Sequence, residues 1–259
     1  MRNVRAIESS LYDYLLEFGK VPGGRFSTDE TVKWTYTGSP LLNRIFDARF
    51  GSDPKSQIED VLAFYCQRNL PVTWMAGPSG TPKNLGQLLQ PFGFSSASQW
   101  SGMSLSLDQM APIPAPDGFS CQRVRSKQDL AHWASIARPA FNLTPNTEAS
   151  FTTIFNPLLL GKRAPFQGYL GTLNGNPCVT CFCFRQVSTV GVFWVATAQH
   201  ARKRGLATAL TYQALQAARQ QGARLAVLHA TPMGTPLYEK MGFRTECTFN
   251  LYHRLPENV

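Results

Sequence analysis

Residues 195–210, Val-Ala-Thr-Ala-Gln-His-Ala-Arg-Lys-Arg-Gly-Leu-Ala-Thr-Ala-Leu, constrain this chain more than any other stretch. They read as a strand, a turn carrying Arg202, Lys203, Arg204 and Gly205, and the first turns of a helix. Backbone N–H groups at a helix N-terminus have no partner within the helix, and the aligned peptide dipoles add partial positive charge there. Such a start seats a phosphate, and a glycine lets the backbone approach it without a Cβ in the way. Residues 206–221 contain no Asp or Glu, so nothing acidic opposes an anion held at the helix start. Basic residues before a helix also make ordinary solvated turns, so this pattern needs a second signal beside it.

That signal lies downstream, in Leu237-Tyr238-Glu239-Lys240-Met241-Gly242-Phe243. Between the two lie the helix 206–221, a Gly222 stop and the apolar run 224–230, which reads as a buried strand. The spacing Arg202-x-x-Gly205-x-Ala207 resembles the R/Q-x-x-G-x-G/A pyrophosphate motif of the GNAT superfamily of acyl-CoA-dependent N-acetyltransferases. The 237–243 segment resembles the L-Y-E-K-x-G-F stretch that closes that fold. The resemblance covers residues 118–259 and implies an α/β fold, a mixed and mostly antiparallel GNAT sheet with flanking helices.

The resemblance also implies roles. Val195, Ala196 and Thr197 would offer backbone groups to the pantetheine arm of acetyl-CoA, one N–H polarising the thioester carbonyl beside a bulge. Arg202, Lys203, Arg204, Gly205, Leu206, Ala207 and Thr208 would hold the pyrophosphate. Tyr238 would protonate the departing thiolate, a task that suits a phenol protonated at neutral pH. In isolation the same residues read as a buried strand, a solvated turn and a core tyrosine. Acetyl-CoA is the implied co-substrate, and no metal is implied.

Patterning supports the same order independently. A strand at 119–124 precedes a helix starting at Ser126 or Asp129 and ending at Pro139. A loop at 141–146 leads to a helix capped by Thr147 and running to Asn156. Strands at 167–173, 178–187 and 191–197 follow, the first two joined by the hairpin pair Asn174-Gly175.

The first half is less regular. A helix at 58–68, strands at 72–76 and 103–107 and a short helix at 85–90 can be read. The Phe92-Gly93-Phe94 step into a strand echoes Met241-Gly242-Phe243, so this half resembles a degenerate GNAT repeat without an anion seat. The segment 77–83 does not fit the G-x-x-x-x-G-K-[ST] phosphate-loop spacing. Residues 1–110 form this half, a degenerate GNAT-like or other α/β domain expected to shape the acceptor site, with 111–117 a proline-rich linker and 118–259 the acetyltransferase half.

Charge divides at the same place. The net +9 arises from 10 Lys and Arg against 11 Asp and Glu in residues 1–117, and 15 against 5 in residues 118–259. A phosphate-bearing co-substrate accounts for a cationic second half, as does nucleic acid, which rests on charge alone. No run reaches the length of a membrane span and no basic-then-apolar leader is evident, so a cytoplasmic protein is expected. The six cysteines are read as reduced, with Cys178, Cys181 and Cys183 in an apolar strand as small hydrophobes rather than zinc ligands.

The general base is not evident. Many members of the family carry a Glu on the strand before the seat, whereas residues 191–201 hold no carboxylate. His229, late on the strand 224–230, could relay a proton through water, although a histidine on an apolar strand is more often structural. The position commonly Asn after that strand is Thr231. The expected function is acetyl transfer from acetyl-CoA to the primary amine of a small molecule by direct attack. The alternative is an acyl-CoA-binding regulatory module with little catalysis. A monomer or homodimer is expected, with neither membrane nor nucleic acid as partner.

Overall fold

The computed structural model describes residues 2–143 and 148–256. In chain order the elements are α1 (Arg2–Gly19), β1 (Arg25–Thr28), β2 (Lys33–Tyr36), β3 (Arg44–Phe46), α2 (Pro54–Cys66), β4 (Val72–Ala76), α3 (Leu85–Leu89) and β5 (Ser95–Ser106). They continue with β6 (Phe119–Arg123), α4 (Lys127–Ala140), α5 (Glu148–Leu160), β7 (Phe166–Leu173), β8 (Asn176–Arg185) and β9 (Thr189–Thr197). The chain closes with α6 (Leu206–Gln220), β10 (Leu225–Ala230), α7 (Thr235–Lys240) and β11 (Arg244–Arg254).

Local chemistry explains several boundaries. Ser126 and Asp129 form a reciprocal capping box that starts α4. Asn174 (φ 51°) and Gly175 (φ 81°) are both left-handed, the turn that matches the twist of the β7–β8 hairpin. Helix α4 continues past Pro139 to Ala140, and α5 runs over Pro157 to Leu160, each beyond the expected end. A proline in the last turn removes only a bond that the fraying end can spare. The expected Thr147 cap lies outside the described residues.

The chain forms two compact units, Met1–Leu11 with Gly102–Glu246, and Tyr12–Ser101 with Cys247–Val259. These units do not follow a division at 111–117, because the chain ends are exchanged. Residues 250–254 of β11 pair antiparallel with 72–76 of β4, which ties the C-terminus to the second unit. Met103, Leu105 and Leu107 lie in the apolar core of the first unit, and Leu107 N–H donates to Arg224 O.

In the first unit the strands follow the order β11-β5-β10-β9-β8-β7-β6. Pairs β6–β7, β7–β8 and β8–β9 are antiparallel and β9–β10 is parallel. Helix α6 buries Leu206, Leu210 and Leu215 against Cys181, Cys183 and Val192. Truncating Leu210, fully buried, to Ala would cost about 3 kcal/mol in transfer and cavity energy. Helices α4 and α5 cover the opposite face, where Trp133, Phe151 and Phe155 meet Phe182.

The second unit orders its strands β1-β2-β3-β4-β11-β5, with β3–β4 parallel and β1–β2, β2–β3 and β4–β11 antiparallel. Its core gathers Ile45, Ile58, Leu62, Tyr65, Trp74 and Phe94. Both units therefore contain a parallel β-α-β crossover, β9-α6-β10 in one and β3-α2-β4 in the other. In each, a short helix and a left-handed glycine, Gly242 (φ 93°) or Gly93 (φ 80°), then lead into a long strand.

Candidate active site

The site begins with an irregularity in β9. Thr180 pairs with Ala196, but Phe182 pairs with Phe193, so Trp194 and Val195 together face the single residue Cys181. This is a bulge, and Trp194 adopts φ 56° within it. Trp133 Nε1 donates to Cys181 O at 3.2 Å, fixing the carbonyl opposite. Thr180 Oγ1 donates to Trp194 O at 3.3 Å.

Past the bulge, β9 loses its other neighbour. The parallel pairing with β10 ends at Val192 and Leu228. Ala198 N–H donates to Cys178 O at 2.8 Å, so Ala196 and Ala198 face β8. Strand alternation then turns the N–H and C=O of Thr197 toward the side where β10 has parted. A backbone N–H presented at such an edge is suited to polarising a carbonyl.

The loop that follows is anchored by buried Ala201, while Arg202, Lys203, Arg204 and Gly205 are exposed. Arg202 Nε donates to Thr197 O at 3.2 Å, tying the cationic turn to the end of β9. Gly205 caps α6 with φ 75°, no side chain satisfies the first N–H groups, and the first turn contains no acid. Ala209 N–H, bonded to Gly205 O at 3.0 Å, is the first described donor to enter the ladder from this cap. A Cβ at Gly205 would meet only Pro116 Cγ, at 3.7 Å. The glycine is thus demanded by its backbone angle, with open space left above it. Leu206 is buried, and Ala207 and Thr208 are half-buried beside the opening. An open, uncapped, cationic helix start of this kind fits a pyrophosphate.

Tyr238 is half-buried in α7, its ring 5.8 Å from that of Phe243. Among the described residues its hydroxyl has no hydrogen-bond partner. Burial, and secondarily the Cys181 thiol, pushes the phenol above its ordinary range. Cys181 thereby links Tyr238 to the bulge, since it is the residue that Trp194 and Val195 face.

His229 follows the last paired residue of β10 and stacks on Phe193, with centroids 6.2 Å apart and 15° between planes. Both ring nitrogens are buried, and burial lowers the imidazole to about 3. The residue stands one past the end of the β9–β10 pairing, and its burial keeps the imidazole neutral, the form that accepts a proton. His200 is exposed in the turn, and Thr231 Oγ1 accepts from Gly234 N–H at 3.3 Å, turning the chain into α7.

Two features escaped the sequence reading. Trp194 reads as a core residue in an apolar strand, and only its φ reveals that it sits outside the regular alternation. Glu8, 4% exposed, is a buried carboxylate that α1 contributes to this unit; its interruption of the stripe Ile7, Leu11, Phe18 was the available signal.

Residues 169–245 match the family model of the acetyltransferase (GNAT) domain. Residues 169–245 thus carry a GNAT domain. A solved structure of a GCN5-related N-acetyltransferase from Kribbella flavida is 17% identical, with a TM-score of 0.75 over 98% of this chain and 97% of that one. One from Sphaerobacter thermophilus is 14% identical, with a TM-score of 0.64 over 90% and 83%. A tandem GNAT protein from the clavulanic acid biosynthesis pathway is 13% identical, with a TM-score of 0.60 over 88% and 79%. At these identities the shared property is the fold, along almost the whole chain. No curated protein matches the sequence. No described helix is long and apolar enough to cross a membrane.

Proposed function

We propose that the GNAT domain transfers the acetyl group of acetyl-CoA to the primary amine of a small molecule by direct attack. The observation that carries this reading is the opening between β9 and β10, with an uncapped cationic helix start beyond its end. The backbone N–H groups of Arg204 through Thr208, with the side chains of Arg202, Lys203 and Arg204, hold the pyrophosphate. Val195, Ala196 and Thr197 bind the pantetheine arm as an added strand, and an N–H on the free edge of β9 stabilises the charge that develops on the thioester oxygen.

In the reaction the neutral amine forms a bond to the thioester carbon and the C–S bond breaks. The departing thiolate takes a proton from Tyr238, whose raised phenol keeps that proton at neutral pH. The new amide loses its extra proton to water, through which His229 would relay it and from which Tyr238 recovers its own. General acid catalysis of this kind contributes on the order of 100-fold.

The depressed His229, together with the lack of a carboxylate on β9, favours a second reading: an acyl-CoA-binding regulatory module. Incubation with acetyl-CoA and a panel of amines, followed by release of free thiol, separates the two. Amine-dependent thiol release supports transfer; tight binding of acetyl-CoA without release supports the regulatory module. In either case the protein acts without membrane or nucleic acid, as a monomer or homodimer in the cytoplasm.

A further inference from the structure

We infer that the acceptor amine carries an aromatic ring, held by Trp194 and Phe141 at the bulge of β9. The inference rests on the acyl-transfer reading of the opening between β9 and β10, and it specifies the substrate class that reading leaves open.

The two faces of the first unit are chemically different. Cys181, Cys183 and Val192 point into the core beneath α6. Phe182 and Trp194 point the other way, into the rings of α4 and α5. An acyl group fed from the α6 start therefore crosses the sheet at the opening and emerges next to Trp194. Trp194 immediately precedes residues 195–197, the end of β9 beyond its last pairing with β10.

The rings there form a floor with an accessible top. Trp133, Phe151 and Phe155 are fully buried. Trp194 lies on them, 4.9 Å from Phe155 edge-on and 5.8 Å from Phe151. Trp194 itself is half-buried, and Phe141, 41% exposed, meets it edge-to-face at 4.5 Å. Left-handed backbone at a tryptophan is rare and strained, and such strain persists where the surroundings impose it, commonly at functional sites. Here it takes the indole out of the strand's alternation and lays it beside the acyl position.

Charge selects the same class. Strands β7, β8, β9 and β10 contain no Asp or Glu. Asp108 is engaged by Arg224 and Arg219, Asp129 caps α4, and Glu246 binds Asn3 and Ser104. Glu8 is buried on α1 with a partner of its own, and Asp117 and Glu239 are exposed and lie outside these strands. A second cationic group on the acceptor would therefore find no counter-charge on the strands that border the opening. An aromatic ring would find edge-to-face and offset-stacked partners, and an arriving ammonium is attracted to an indole face.

The test measures initial rates with acetyl-CoA and four amines: 2-phenylethylamine, tryptamine, n-butylamine and spermidine. The two aryl amines should exceed the others in kcat/KM by about tenfold or more. Trp194→Ala and Phe141→Ala should remove that advantage through KM, and Trp194→Phe should keep most of it. Phe141 is exposed, so Phe141→Ala reads the effect even if Trp194→Ala fails to fold. Equal or better use of n-butylamine or spermidine overturns the inference, as does an aryl preference that survives Phe141→Ala. A Trp194→Ala protein that changes only the acyl chain length accepted would assign the rings to the acyl group and overturn it too. If no amine releases thiol, acyl transfer itself fails. Equilibrium binding of 2-phenylethylamine to the CoA complex, followed by tryptophan fluorescence, then decides this inference separately: binding weakened by Phe141→Ala supports it, and no binding overturns it.

Discussion

Two helix starts of the same topology differ in what fills them. In the first unit, the loop after β9 leads to α6, whose cap is Gly205, with no side-chain bond and no acid in its first turn. In the second unit, the loop after β3 leads to α2, whose cap is Asp53. The Asp53 carboxylate accepts from Ser56 N–H at 3.2 Å, and Pro54 removes one further donor. Asp47, just past the parallel pairing of β3, is buried and bound by Lys33 at 2.7 Å and Arg49 at 3.1 Å. Arg49 of that loop and Lys33 of β2 are thus spent on an internal carboxylate, whereas Arg202, Lys203 and Arg204 stand exposed. An anion seat is therefore made by leaving a helix start unsatisfied. A single capping aspartate closes it and gains helix stability instead.

The largest effect should come from Gly205→Val. A β-branched residue at φ 75° is strained whatever the space around it, so the first turn of α6 must shift and its N–H groups lose their aim. Acetyl-CoA affinity by calorimetry should fall by roughly 100-fold or more. Undiminished binding would break the assignment of the seat. Tyr238→Phe comes next: turnover should fall by about 10- to 100-fold while acetyl-CoA affinity stays near that of the parent. An unchanged turnover number with a good acceptor would leave Tyr238 a packing residue.

Thr208→Glu places a carboxylate in the first turn of α6, near the helix start as Asp53 is at the cap of α2. The helix dipole favours that charge, so thermal stability should hold or rise, while acetyl-CoA affinity drops by about tenfold. A fall in stability with unchanged affinity would contradict the comparison. In the other half, Asp53→Ala should cost about 1 kcal/mol in chemical denaturation and create no acetyl-CoA site, because Pro54 and the Asp47 network remain.

The smallest effect concerns two histidines. His229 is lowered by burial to about 3, from an unfolded value near 6.5. Between those values the unfolded chain takes up a proton that the folded chain refuses. The stability is fully present above about 6.5 and is lost as the pH falls toward 3. His229→Asn should flatten that acid slope of the denaturation midpoint. His253 keeps much of its surface in solvent: partial desolvation beside Thr73 Oγ1 (2.9 Å) and, secondarily, Arg44 lower it in the same direction, and its removal should flatten the slope less. Equal slopes would contradict the burial assigned to His229.

The same contrast explains what the sequence made legible. The α6 half announces itself because each local signal agrees with the fold: Asn174-Gly175 at the hairpin, Ser126 with Asp129 at a cap, and Gly205 before an acid-free amphipathic helix. The α2 half hides its similar topology because Asp53 and Pro54 stand at the start of its crossover helix. Its strands β1, β2 and β3 are three or four residues each, too short for alternation to show. The first half of β5, residues 95–101, is polar and exposed, so only its apolar end was read as strand. Helix α1 lacks cap signals, and its stripe went unread. The exchange of chain ends could not be read either, since it depends on β11 pairing with β4 across a long sequence separation. Trp194 was the hardest to foresee, because a tryptophan in an apolar strand gives no local hint of a left-handed angle.

The central claim is one open seat and one closed seat in a single chain. Isothermal titration of acetyl-CoA into the full-length protein tests it most directly. The account predicts one site per chain, abolished by Gly205→Val and untouched by Asp53→Ala. Two sites per chain, or a single site that survives Gly205→Val, would contradict it.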